Sequence, residues 1–220
     1  MSAVQQATMM AKTAENISMS FVTSSTSVTT SHVVSTSAQA GDIAIIHMAA
    51  SGSGAYAGAP PSGWANTTYA RTTTGSGAVW GSFAWKQLVS GDIGATLTGL
   101  PTGGSWGNSV IVYFRPSKAI TSVSVVGTPN QEATTGDPVQ QNNNIAGSNN
   151  PPNILVAGYI SNGTITTRTS SVTMNEIVQR TSNVFLKYKI YNIGDTLEYA
   201  SVDMADFGNN MLHSFYLTIT

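Results

Sequence analysis

From Ile17 onward the apolar residues gather in runs of four to eight, rich in Val, Ile, Thr and aromatic side chains and bounded by Gly, Pro, Asn or Ser. β-branched and aromatic residues suit a pleated, packed surface, so short runs between turn formers predict strands. Strands are expected over 17–23, 28–36, 43–49, 82–89, 95–100 and 110–114. A second set is expected over 120–126, 154–160, 164–169, 184–191, 196–201 and 212–219. The pair Asn162-Gly163 predicts a two-residue type I′ hairpin, because both central positions of that turn want positive φ. Residues 1–16 differ: Ser2 with Gln5 makes a capping box, and Val4, Ala7, Ala11 and Ala14 follow at helical spacing. They read as a short helix or as an arm that a partner orders, since one short helix is marginal in water.

A repeat runs through this pattern. Trp85-Lys86, four residues and Gly91-Asp92 return as Tyr188-Lys189, four residues and Gly194-Asp195, each 103 positions later. Tyr113 falls on Tyr216 and Ile17 on Ile120 at the same spacing. The run from Ile43 answers the run from Ile154 at a different offset, which places a longer loop in the first half. Recurrence in a preserved order implies two related β halves of about 100 residues, 17–116 and 117–220. They could form one sandwich or two in tandem. No flexible linker separates them around 115–119, so the expectation is a single all-β, jelly-roll-like sandwich built from both halves.

Composition narrows the function. Only 9% of the residues are charged and the net charge is −1, which leaves no basic patch to hold a phosphate backbone and argues against nucleic acid. The exterior must be built from the 27 Ser, 28 Thr, 16 Asn and 21 Gly. Small uncharged polar surfaces suit shells, fibres and adhesins, whose crowded neighbours must not repel one another. No apolar run reaches bilayer-spanning length, and the N-terminus lacks a charged start before a hydrophobic block. The expectation is a protein made without a secretion signal and without membrane insertion, in which the sequons at Asn16, Asn66 and Asn162 are incidental. The absence of cysteine excludes disulfides, thiolate zinc sites and a cysteine nucleophile.

Little in the chain promises turnover. Nucleophilic catalysis needs a Ser or Thr activated by a positioned base, and of His32, His47 and His213 the last two share strand faces with apolar neighbours. His47 alternates with Ile43 and Ile45, and His213 with Phe215 and Leu217, so both read as core histidines with satisfied nitrogens. Glu198, Asp203 and Asp206 cluster before the last strand, where a solvated turn explains them better than a glycosidase pair or a calcium loop. Asp42, Asp92 and Asp195 each follow Gly and read as turn residues at strand ends. Lys86 and Lys189 alternate with apolar neighbours and are expected on the solvent face. The expectation is a non-enzyme with no cofactor and no metal.

Binding is the stronger prospect. The Gly-rich segment 51–81 carries Tyr56, Trp64, Tyr69 and Trp80 on what reads as a long loop, and aromatic rings there can stack on sugars or anchor a protein contact. The Asn-rich segment 140–152 reads as a second exposed loop.

Four features occur in series: Ala40-Gly41-Asp42-Ile43, Pro61-Ser62-Gly63-Trp64, Trp85-Lys86, and the apolar strand 110–114 ending in Arg115. Together they resemble two-half β-sandwich proteins of the virion surface in tailed phages and prophages, over residues 17–220. The second half departs by lacking Pro-x-Gly-Trp. The resemblance implies a tail, fibre or adsorption component of the virion, assembled in the host cytoplasm. Capsid decoration is the close alternative and a carbohydrate-binding module the more distant one. It also implies that residues 1–16 hold other virion proteins, that the chain forms a homo-oligomer such as a trimer, and that a host surface glycan is a partner. In that family Trp64 is expected to close one end of the sandwich.

Overall fold

A computed structural model describes residues 17–52, 59–71, 78–100, 106–135, 139–143, 153–180, 183–192, 195, 200–205 and 209–220, and among these described residues the chain forms fifteen strands. Residues 1–16 lie outside the described set, and so does Tyr56. The first half supplies β1 (Met19–Ser27), β2 (His32–Val33), β3 (Ile43–Ser51), β4 (Ala65–Arg71), β5 (Val79–Gln87), β6 (Thr96–Leu97) and β7 (Trp106–Pro116). The second supplies β8 (Val123–Thr135), β9 (Val139–Asn143), β10 (Asn153–Ser161), β11 (Thr167–Ser170), β12 (Asn175–Arg180), β13 (Val184–Tyr191), β14 (Ala200–Ala205) and β15 (Asn209–Ile219).

Each half forms its own five-stranded antiparallel sheet, ordered β1-β7-β3-β5-β4 in the first and β8-β15-β10-β13-β12 in the second. The chain finishes one sheet before beginning the other. Numbered within its own half, each sheet reads first, fifth, second, fourth, third strand.

The sheets face each other across one core. From the first come Ile43, Ile45, Phe83, Val110, Val112 and Phe114; from the second, Ile154, Val156, Leu186, Tyr188, Phe215, Leu217 and Ile219. A side chain of this kind contributes roughly 2 kcal/mol when fully buried, and one core shared by both sheets makes a single sandwich.

The outer faces are covered as well. Ala44, Ile46, Met48, Ala84, Ile111 and Tyr113 pack under Val34, Ala38, Trp64, Leu88 and Leu100, beside the small β2-β6 ribbon. On the far side Ala157, Tyr159, Phe185 and Leu212 lie under Ile165 and Met174. A three-stranded sheet, β11-β14-β9, belongs to that half. Central strands are therefore buried on both faces, and all nine residues of β3 are. This explains why the sequence of β3 is almost continuously apolar instead of alternating.

Several expectations are corrected. Segment 51–81 is not one loop, since β4 runs through it as an edge strand beside β5. Segment 140–152 begins inside β9, which pairs with β14. Asp203 lies in β14, in register with Thr169 and Gln140, and not in a turn; Glu198 and Asp206 lie outside the described residues. No hairpin forms at Asn162-Gly163, because β11 pairs with β14 while β10 is flanked by β13 and β15. Gly163 lacks the positive φ that a type I′ turn requires. There the chain leaves the sheet for the outer layer: Asn162 Oδ1 accepts from Asn209 N at 2.8 Å, and Gly163 N donates to Ser161 Oγ at 2.8 Å.

Candidate functional site

The aromatic residues separate on folding. Trp64 is 6% exposed and packs into the outer core of the first sheet, and Trp80 on β5 is 1% exposed. Neither presents an indole to a ligand. The Pro61-Ser62-Gly63-Trp64 segment is a β-turn closed by Trp64 N to Pro61 O at 3.0 Å, with Gly63 at φ +78° in its third position. That position excludes most L side chains, so Pro-x-Gly-Trp is a device for turning an indole inward. The backbone of Tyr69 lies in β4, across from Ser82.

The Gly-Asp pairs form one repeated turn. The carboxylate of Asp42 accepts from Gln39 N, that of Asp92 from Val89 N and that of Asp195 from Asn192 N, at 2.9, 2.8 and 2.8 Å. In each case the Asp N–H returns a bond to the carbonyl of the same residue three positions back. A short carboxylate is the side chain that can close such a turn on itself.

Two of these aspartates also hold cations. Arg115 grips Asp42 with Nε and Nη2, both at 2.9 Å, and the Asp42 side chain is only 1% exposed. Lys86 is not free on the solvent face, because its Nζ is 2.6 Å from Asp92 Oδ1 and its side chain is 22% exposed. Burial raises the Asp92 carboxyl, but Lys86 and the Val89 N–H outweigh it and hold the group below its usual range. Lys189 sits over the ring of Tyr191, 4.6 Å from its centroid.

Beside the Asp42 turn a groove of about 380 Å³ is lined by Gln39, Asp42, Gln87 and the connector from Pro116 to Ile120. The chain enters the sandwich at this end. Ser18 N donates to Ser117 Oγ at 3.0 Å, Ser117 N to Ser18 O at 2.8 Å, and Met19 N to Asn192 Oδ1 at 2.8 Å. Both half-chains thus hold Ser18 and Met19 in place. Sequence reading did not anticipate this convergence, because its partners are about 100 and 170 residues apart.

All three histidines are inside. His32 bridges Ser25 Oγ at 2.9 Å and Ser109 Oγ at 2.8 Å, and burial lowers its pKa to about 4. His47 and His213 are fully buried with Nε2 atoms 2.9 Å apart, and Gln179 Oε1 lies 2.7 Å from His47 Nδ1. Desolvation drives the pKa of His47 to about 4 despite the Gln179 bond, and that of His213 well below its usual value. Both rings are neutral at pH 7, with none of their nitrogens facing solvent. Among the described residues no group of three or more His, Asp or Glu side chains could hold a metal ion.

The chain matches no family model, no curated protein and no solved structure.

Proposed function

We propose that this chain is a non-enzymatic structural protein of a phage virion exterior, a tail, fibre or adsorption component attached through residues 1–16. The observation that carries the reading is how the fold uses its few reactive side chains. Three histidines are buried and neutral, and the three Gly-Asp carboxylates close turns, two of them also holding cations. Such a molecule is built to persist. Strands covered on both faces, an uncharged polar composition and the resemblance set out above support the same reading.

The shared strand order of the two sheets fits descent from one duplicated unit, and a duplicated sandwich suits a symmetric particle, where the chain would act as a homo-oligomer such as a trimer. A glycan-binding role is left with Tyr56 and Tyr69, since both tryptophans are buried.

The test is removal of residues 1–16. The shortened chain, 17–220, is expected to keep the melting temperature of the full chain and to be missing from assembled particles. Incorporation at the full chain's level would overturn attachment by this segment.

A further inference from the structure

His32 meets a serine hydroxyl at each of its ring nitrogens, and the two serines come from neighbouring strands of the first sheet. Ser25 of β1 is in register with Ile111 of β7, and Ser27 with Ser109; Ile111 packs in the outer core, so these serines lie on the outer face. The short β2 lies over that face, tied to β6 by the His32–Leu97 and Val33–Thr96 pairs. The His32 residue is 3% exposed, with Nε2 2.9 Å from Ser25 Oγ and Nδ1 2.8 Å from Ser109 Oγ. The turn that brings the chain back from β1 is held by Ser27 Oγ, which donates to the Ser31 carbonyl at 2.6 Å. That turn sets an imidazole against a hydroxyl only seven positions earlier in the chain.

The order of the protons follows from a backbone group. Ser35 N–H donates to the Tyr113 hydroxyl at 2.9 Å, and the phenol proton is then directed to Ser25 Oγ, 3.4 Å away. Burial raises the Tyr113 pKa, so the phenol keeps that proton. Ser25 O–H donates in turn to His32 Nε2, and His32 Nδ1–H to Ser109 Oγ. Every donor in this order meets an acceptor. The reverse order would aim both Ser35 N–H and Ser25 O–H at the Tyr113 oxygen and leave the phenol proton outside the chain of bonds. Burial also lowers the His32 pKa to about 4, so the Nε2 lone pair is available at pH 7.

A hydroxyl aimed at an imidazole lone pair, with the second ring nitrogen held by another group, is the arrangement that makes a serine nucleophilic. We propose that Ser25 is an acylation site for activated esters, with His32 as its general base and Ser109 as the positioning residue. As Ser25 Oγ bonds to the acyl carbon, its proton passes to His32 Nε2. The C–O bond to the leaving group breaks, and the leaving oxygen takes the bonding pair and then that proton. The products are a serine ester and an alcohol, with His32 neutral again. Ser25 is half-buried on the edge strand β1, so an ester reaches it from the sheet edge, while the His32 ring behind it is shut from solvent. A hydrolytic water has no separate approach to Nε2, so the ester persists and the reaction stops at one equivalent. Such a single acylation goes beyond the virion reading and is compatible with a molecule that turns over no substrate.

The experiment treats the folded full chain with p-nitrophenyl acetate at pH 7 and maps acetylated residues by peptide mass spectrometry. Ser27 is the internal reference, because it lies two residues along the same strand and gives its proton to the Ser31 carbonyl instead of a base. Ser25 should be acetylated about a hundredfold faster than Ser27, the scale of a positioned general base. His32→Gln should bring Ser25 down to the Ser27 rate. Ser109→Ala should slow Ser25 while nitrogen NMR shows His32 moving from its Nδ1–H toward its Nε2–H tautomer. Equal rates at Ser25 and Ser27 in the wild-type chain overturn the site, and that comparison needs no variant to fold. An unchanged Ser25 rate in either variant, or a wild-type His32 protonated at Nε2 alone, overturns the roles given to the two residues. Nitrophenol release that runs past one equivalent per chain and is lost in Ser25→Ala overturns the stoichiometric site in favour of turnover.

Discussion

Gly158 and His47 are in contact across the middle of the sandwich, the backbone of one seated on the ring of the other. A methyl group at residue 158 would meet His47 and His213 ring atoms at 2.5 and 2.6 Å, and rings wedged between Phe83 and Gln179 cannot swing clear. Gly158→Ala is expected to lower stability by about 3 kcal/mol. Gly81→Ala, on β5, would meet chiefly the flexible ends of Met211 and Ile160, so its cost should be about 1 kcal/mol. Urea unfolding of the two variants side by side checks the order, and equal losses would contradict the packing described.

The two ion pairs of the Gly-Asp turns should differ in weight. Arg115→Ala leaves a carboxylate that is 1% exposed with only a backbone N–H for company, so a loss of about 3 kcal/mol is expected. Lys86→Ala breaks a shorter contact between side chains that are 22% and 18% exposed, which water partly replaces, and should cost about 1 kcal/mol or less. Chemical denaturation at pH 7 measures both.

Lys86 also sets a titration. With its neighbour removed, Asp92 loses its strongest stabilising contact and its carboxyl pKa should rise. In the wild type the Asp92 contribution is present above the ordinary carboxylate range and is lost as pH falls through the lowered folded value. Carbon NMR of the Asp92 carboxyl, with and without Lys86→Ala, tests the direction; an unchanged midpoint would refute it.

Trp80→Ala separates packing from binding. The side chain is 1% exposed, so truncation should cost about 4 kcal/mol and leave any glycan affinity of the folded fraction unaltered. Thermal unfolding together with glycan-array binding would show it. Loss of binding at unchanged melting temperature would return Trp80 to the surface.

Much of the architecture was legible in the sequence because the central strands carry it. Segments 43–49, 110–114, 154–160 and 212–219 are nearly pure apolar runs, and each lies within a strand buried on both faces. Three of the edge and cover strands were not legible, whereas the expected 17–23 and 120–126 overlap the edge strands β1 and β8. β4 (ANTTYAR), β9 (VQQNN) and β12 (NEIVQR) have few apolar positions and owe their extension to the ladders beside them.

The candidate site divides the same way. Alternation placed His47 and His213 on core faces, and Gly-Asp spacing placed three aspartates in turns. Periodicity specifies a face but not the partner across the core, so it could not bring together two histidines that stand 166 residues apart. Trp80 misled for a related reason, since a Gly-rich neighbourhood suggests exposure; Trp64, for which the resemblance implied packing, is turned inward at Gly63.

The central claim is that this chain is a component of the virion exterior. Its most direct test is mass spectrometry of density-purified particles from a culture that expresses the chain, with copy number measured against the major capsid protein. The predicted result is presence at a copy number far below that of the capsid protein, as expected of a tail or fibre component. A copy number close to that of the capsid protein would move the chain to capsid decoration, and absence from particles would contradict the virion assignment altogether.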